Sequence, residues 1–347
     1  VRVKIGRQEL LLATLHRHFM MGKAPKDRAM TAHLGAQAQF ANNPQYFLRI
    51  RAEDFNPETW NAGLIKAWTM RGTLHAIPQD EFSLYLSARG VPEEWAGWRI
   101  SSKRMEYWAG YILELIESGV VERDPIRKKC VEKGLDGAEL SAVFNGWGGA
   151  FYELSRRGLI AHECVTAKRF VRINTPPPII TDMKTARETV ARRYFAGFGP
   201  ASIEDFYYFT GWKHRDTDEI LNAVMGELET VECEGKTLYY SGKLDTSGEV
   251  PECMFLAGFD QILMGYKNRS RLMDERFKDE VTTNTGIVHP TILLDGRVSA
   301  RWNKNGAKIV VTPFVRISKK RWALIKRHGQ AFFRDEDVKI TFADEGD

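Results

Sequence analysis

The stretch Ser202-Ile203-Glu204-Asp205-Phe206-Tyr207-Tyr208-Phe209-Thr210-Gly211-Trp212 holds a short helix with its own start and stop. Ser202 is placed to cap it, and Glu204 and Asp205 put negative charge where the helix dipole is positive. Gly211-Trp212 makes the closing turn. Upstream, residues 185–196 are helical in period and are broken by Gly197-Phe198-Gly199-Pro200. Downstream, residues 216–228 put Ile220, Leu221, Val224, Met225 and Leu228 on one face. Residues 230–233 and 237–240 then form two strands about the Glu234-Gly235 turn. Three short helices followed by a hairpin is the order of a winged helix-turn-helix.

The same order can be read twice more. In the second segment, residues 105–118 and 125–132 are amphipathic, Leu140-Ser141-Ala142-Val143-Phe144 lies within another helix, and residues 151–157 run to a stop at Gly158. Residues 159–165 and 169–173 are strands joined by Thr166-Ala167-Lys168, and Thr175-Pro176-Pro177-Pro178 is a stiff spacer that ends the unit. In the first segment, residues 9–18 and 31–40 are helical, 62–69 form a third helix and 71–77 a strand. After about residue 248 the character changes. Residues 254–259, 291–294, 298–302, 307–313 and 338–342 read as strands, with Asp295-Gly296 and Asn305-Gly306 turns between apolar runs. The expected fold is α+β. Tandem winged helix-turn-helix modules occupy 1–98, 99–178 and 179–247, and a C-terminal antiparallel β-barrel-like domain, crossed by a basic helix, occupies 248–347.

Composition narrows the class. A chain of 347 residues with 43% hydrophobic and 11% aromatic residues builds buried cores, which excludes collagen-like, coiled-coil and disordered chains. No run approaches the ~18 apolar residues of a membrane span. The first 19 residues are basic but too broken for a signal peptide, so an amphipathic helix is expected there. Cys130, Cys164, Cys233 and Cys253 lack the close spacing of zinc or iron–sulfur ligands. They read as free thiols in a reducing, cytoplasmic compartment, with no structural metal.

The net charge of +5 is unevenly placed. Residues 181–247 are acidic, whereas Arg316, Lys319, Lys320, Arg321, Lys326 and Arg327 lie together with no acid among them. Such a run beside tandem winged helices suits the phosphates of duplex DNA. The plain alternatives are a solvated helix face for the run and a protein-interaction scaffold for the modules.

Most catalytic signatures are missing. There is no phosphate-binding loop, and Asn145-Gly146-Trp147-Gly148-Gly149 has no lysine after it and reads as a turn. There is no His-Glu-x-x-His and no Gly-x-Ser-x-Gly elbow, and His162-Glu163 lies in a predicted wing. One constellation stands apart: Ala32-His33-Leu34-Gly35-Ala36-Gln37-Ala38-Gln39-Phe40-Ala41, followed by Asn42-Asn43-Pro44-Gln45. On a helix, residues two apart point ~200° away from each other, so Gln37 and Gln39 face one site only where the helix ends or unwinds. Asn42-Asn43-Pro44 supplies such an ending. Two solvated glutamines at a helix C-terminus is the plain alternative.

The Gln37-Ala38-Gln39 stretch and Trp68-Thr69-Met70-Arg71-Gly72-Thr73-Leu74-His75 resemble the AlkZ-like (YcaQ-related) winged-helix DNA glycosylases. So do the block from Leu256-Ala257-Gly258-Phe259-Asp260-Gln261 to Asn268-Arg269 and His289-Pro290-Thr291-Ile292-Leu293-Leu294-Asp295-Gly296-Arg297-Val298. The blocks run in family order across nearly the whole chain. There are departures: Ala257 stands for the usual Pro, Asn268 for the usual Asp, and Ser299-Ala300-Arg301-Trp302 for the usual Gly-Thr-Trp.

The resemblance implies tandem winged helices with a C-terminal β-domain. It also implies metal-free, monofunctional hydrolysis of the N-glycosidic bond of N7-alkylated guanine in duplex DNA, including nucleotides in interstrand crosslinks. Gln37 and Gln39 fall on the family's Gln-Φ-Gln catalytic motif. No cofactor, no metal and no membrane are expected, and a clamp of tandem modules needs no second copy, so a monomer is expected. Arg71, His75, Arg269, Lys319, Lys320 and Arg321 are the expected DNA contacts. For three of them a plainer role is open: Arg71 paired with a local carboxylate, His75 a structural histidine, and Arg269 paired with Asp260. The rival functional class is a non-catalytic winged-helix DNA-binding protein, a regulator or a factor that sequesters damaged DNA.

Overall fold

Ser202 caps the helix Ile203–Thr210: its hydroxyl accepts the Asp205 amide, and the Asp205 carboxylate accepts the Ser202 amide in return. Gly211 ends that helix at φ +66°. Helices Met183–Gly197 and His214–Val224 flank it, and Glu229–Cys233 pairs antiparallel with Lys236–Tyr240. The second segment also runs from helices to a hairpin: Ser102–Glu117, Arg123–Glu132, Gly137–Val143 and Ala150–Arg156, then Ile160–Glu163 against Phe170–Arg172. The structure, a computed structural model, describes residues 3–91, 94–95, 99–146, 149–164, 168–173 and 181–343. The predicted spacer Thr175-Pro176-Pro177-Pro178, the hairpin tip Thr166-Ala167 and Trp147-Gly148 of the glycine-rich run lie outside the described residues.

The chain divides into two compact units, one made of Val1–Trp60 with Ala191–Asp347, the other of Asn61–Val190. These do not coincide with segments 1–98, 99–178, 179–247 and 248–347. In the Asn61–Val190 unit, Leu64–Trp68 pairs antiparallel with Leu74–Pro78 on one side and with Ile160–Glu163 on the other. The predicted helix over 62–69 is therefore a strand. Leu64-Ile65-Lys66-Ala67-Trp68 is too short an apolar run to fix its own period, and pairing with a hairpin about a hundred residues away decides it. The core of this unit gathers Trp108, Ile112, Leu154 and Ile160 around Phe151 and Phe170, whose rings stack at 4.2 Å.

The other unit joins both ends of the chain. Helix Arg7–Arg17 sets Leu11 and Leu15, one turn apart, against Leu256, Phe259, Ile262 and Leu293. Leu10 packs instead on Val231 and Leu238, and strand Val3–Lys4 runs parallel to Glu229–Cys233. The C-terminal sheet has the linear order Cys253–Phe255, Thr291–Leu294, Arg297–Asn305, Lys308–Pro313, Lys339–Phe342. Its last pair is parallel, which corrects the antiparallel expectation at that edge. A parallel pair needs a crossover, and helix Lys319–Phe332 provides it. The fold is thus a mixed α+β arrangement. Among the described residues, no helix is long and apolar enough to cross a membrane.

Candidate active site

Helix Lys26–Ala32 closes with the Leu34 amide on the Thr31 carbonyl at 3.2 Å and the Gly35 amide on the Met30 carbonyl at 2.8 Å. Leu34 at φ +55° and Gly35 at φ +86° make the left-handed turn that this pair of bonds requires. Beyond it Ala36–Gln37 is extended, and in extended chain residues two apart face the same way. Gln37 Nε2 accordingly donates to Gln39 Oε1 at 2.5 Å. Gln37 is 3% exposed, whereas Gln39 is exposed. The expected helix over 31–40 is corrected here: the break comes before the glutamines, and Asn42-Asn43-Pro44 opens helix Asn43–Arg51 instead of ending one. Proline suits that first turn, where its missing N–H has no helical partner to lose.

Gln261 grips the segment, and further contacts hold the elements on either side of that grip. Gln261, fully buried, donates from Nε2 to the Gly35 carbonyl at 2.8 Å. Asp260 accepts the Ile262 amide at 3.0 Å and binds Arg51 through both carboxylate oxygens at 2.6 and 3.1 Å, with both side chains 0% exposed. Helix Asn43–Arg51 lies on the C-terminal sheet, with Tyr46 edge-on to Trp302 at 5.3 Å and Arg49 bound to the Phe332 carbonyl and to Asp335. The Arg49 guanidinium holds the Asp335 carboxyl below its ordinary range.

Two imidazoles that stay uncharged, His33 at the helix end before Gln37 and His18 at the end of helix Arg7–Arg17, lie together with ring centroids 4.7 Å apart. His33 donates from Nδ1 to the Ala29 carbonyl at 2.8 Å, with its ring among His18, Phe19, Phe47 and Phe198. Burial, reinforced by the positive charge of Arg51, pushes it down to about 3. Burial and the neighbouring His33 hold His18 well below its usual value, and its Nε2 lies 3.1 Å from the Tyr266 hydroxyl. Neither ring is an imidazolium near neutral pH, so neither serves as a general acid there.

Two neutral amides side by side cannot take a proton, but their carbonyl lone pairs can orient a water and face a developing cation. The Gln39 carbonyl, with one lone pair engaged by Gln37, keeps a second.

The remaining expected site residues belong to several elements. Arg71 sits at φ +55° in the turn Met70–Gly72 and is partly exposed. His75 is 0% exposed, its Nδ1 2.7 Å from the Thr69 hydroxyl, and burial pushes it down to about 3. A ring with no exposed atom offers nothing to a phosphate, so the expected DNA contact gives way to the structural reading. Arg269 donates to the Tyr208 hydroxyl and to Thr282 Oγ1, both at 3.0 Å, so the expected Asp260–Arg269 pair is replaced by Asp260–Arg51. Lys319 and Lys320 are exposed in the first turn of helix Lys319–Phe332, while Arg321 pairs with Asp295.

Sequence reasoning missed Arg51 and the bond from Gln261 to Gly35. Gln261 lay in a block already singled out, but nothing local marks Arg51, whose partner is 209 residues away.

Residues 31–334 match the family model described as DNA glycosylase AlkZ-like. A curated relative, the interstrand DNA cross-link repair glycosylase of Streptomyces sahachiroi, is 24% identical over 308 residues, spanning 81% of this chain and 82% of that protein. The solved structure of Streptomyces sahachiroi DNA glycosylase AlkZ matches with a TM-score of 0.74 at 21% identity, covering 98% of this chain and 100% of that one. At that identity the structural likeness speaks for the fold.

Proposed function

Because this chain belongs to the AlkZ-like DNA glycosylase family, we propose that it hydrolyses the N-glycosidic bond of N7-alkylated guanine in duplex DNA, with Gln37 and Gln39 as the catalytic pair. The observation that carries this is the Gln37–Gln39 hydrogen bond on an extended segment whose carbonyl at Gly35 is gripped by Gln261. N7-alkylation makes guanine cationic, so the base leaves neutral and needs no acid. Water adds to C1′, the C1′–N9 bond electrons return to the base, and the water proton passes to solvent. The Gln39 carbonyl orients that water, and the amide dipoles stabilise the oxocarbenium-like sugar. Ordinary purines lack the activated leaving group, so the same pair is poor on them.

Monofunctional, metal-free action suits this chemistry, which needs neither a Lewis acid nor a nucleophilic side chain, and a monomer suits a clamp of tandem modules, which needs no second copy. The relative's crosslink repair extends the reading to crosslinked N7-guanines. The helix–hairpin runs ending at Phe170–Arg172 and Lys236–Tyr240 support winged-helix segments on the duplex. Arg71, Arg269, Lys319, Lys320 and Arg321 are proposed phosphate contacts.

The test is base release from duplex DNA carrying N7-methylguanine, with chelator present. Release should persist in chelator and fall at least about 100-fold in Gln37→Ala and Gln39→Ala, the size of loss typical of one electrostatic stabiliser. Tight binding without release by the unaltered protein would replace this reading by the non-catalytic DNA-binding one.

A further inference from the structure

Of the five large apolar side chains left exposed among the described residues, Phe40 alone adjoins the glutamine pair, directly after Gln39. It is 51% exposed. Its ring stacks on Phe259, with centroids 5.9 Å apart and planes 26° apart. Phe259 is itself 6% exposed and sits at φ +53°, a conformation that costs a bulky residue energy and must be enforced by its surroundings.

The enforcing contacts are visible. The Phe259 amide donates to the Val288 carbonyl at 3.1 Å, and Gly258 lies so close to the Asn43 side chain that a Cβ there would stand 3.0 Å from Asn43 Oδ1. The Asn43 amide in turn donates to the Phe40 carbonyl at 3.2 Å. The fold therefore holds one aromatic ring under another, and it leaves the upper one, next in sequence to Gln39, open to solvent.

We infer that the open face of Phe40 is the stacking surface for the extruded, positively charged base. This inference rests on the reading of Gln37 and Gln39 given above. An N7-alkyl monoadduct, unlike a base tethered to the opposite strand, is free to leave the helical stack, and the flipped base loses its stacking partners in doing so. The glycosidic bond lies at the edge of the base, and the chain bends at Gln39 and Phe40, so neighbouring residues can serve sugar and base at once: the glutamines at C1′ and Phe40 at the ring. A phenyl face is electron-rich, and it attracts a cationic purine more than a neutral one of the same shape. Charge is then read twice, once by the departing bond and once by the ring before any bond breaks.

Two duplexes separate charge from shape. One carries 2′-fluoro-N7-methyl-2′-deoxyguanosine, cationic and slow to lose its base because the fluorine disfavours an oxocarbenium; the other carries neutral 7-methyl-7-deaza-2′-deoxyguanosine. The unaltered protein should bind the first about tenfold more tightly, within the range of a partly desolvated cation–π contact. Phe40→Tyr should keep that preference and Phe40→Leu should abolish it, with thermal melting unchanged. Phe40→Met serves as the second apolar variant if leucine disturbs folding.

In parallel, single-turnover release from N7-methylguanine should slow by a similar factor in Phe40→Leu. Equal binding of the two duplexes by the unaltered protein, or an undiminished preference in Phe40→Leu, overturns the stacking role while leaving the glutamines in place. No release by the unaltered protein overturns the reading beneath it, and the inference with it.

Discussion

At the scale of single residues, the Arg51–Asp260 pair has the most to lose. Both side chains are out of water, so removing one partner strands the other as a buried charge. Asp260→Ala should cost about 3–5 kcal/mol in denaturant unfolding, and the double replacement Arg51→Met with Asp260→Leu should recover most of that loss. A double variant no better than the single one would mean that Asp260 stabilises chiefly through the Ile262 amide. The histidines make a second claim. His33, His75 and His162 are held down to about 3 by burial, against about 6.5 in the unfolded chain. The unfolded chain therefore takes up protons that the folded one refuses. Stability should fall as pH drops from 6.5 towards 3, by about 1.4 kcal/mol per pH unit for each ring well inside that window. Urea midpoints at pH 6.5 and 5 should show this slope, and it should be shallower in His33→Gln.

At the scale of elements, close approach decides placement. A Cβ on Gly197 would overlap the backbone carbonyl of Ala32, the last residue of the helix that turns into the Gln37 segment. Gly197→Ala must push two helices apart, and should cost about 1–3 kcal/mol and lower base release with it. Melting and single-turnover rates measured on the same sample check this. Elements with local signals were legible in sequence: the cap at Ser202, the Glu234-Gly235 turn and the basic helix from Lys319 are where their residues put them. Residues 31–40 and 62–69 were misread because their conformation is set from outside. Leu34 adopts a left-handed angle that favours glycine, and Leu64–Trp68 becomes a strand by pairing with Leu74–Pro78 and Ile160–Glu163. The glutamine pair is uncommon in composition, but it is the family resemblance that singles it out. Its geometry could not be found, because an extended segment between two helices leaves no periodicity to read.

At the scale of the whole molecule, the +5 charge and the exposed Lys319 and Lys320 tie DNA affinity to ionic strength. If these lysines meet phosphates, changing both to Gln should weaken binding about equally for damaged and undamaged duplexes. The slope of log affinity against log salt should become shallower by about 2. An unchanged slope would return the basic run to a solvated helix face.

The two-unit division also bears on how the chain is made. Val1–Trp60 belongs with Ala191–Asp347, and Asn61–Val190 is completed in between. On the ribosome the middle unit has all its residues first, while Arg51 must wait for Asp260, 209 residues later. At ~5–20 residues per second that delay is about 10–40 s. Throughout it, the glutamine pair has neither the Gln261 grip nor the aromatic floor of Phe259. A chain that ends short of residue 259 therefore has all of its middle unit but lacks the partners of the proposed glutamine site, so an unfinished copy of this DNA glycosylase is born harmless.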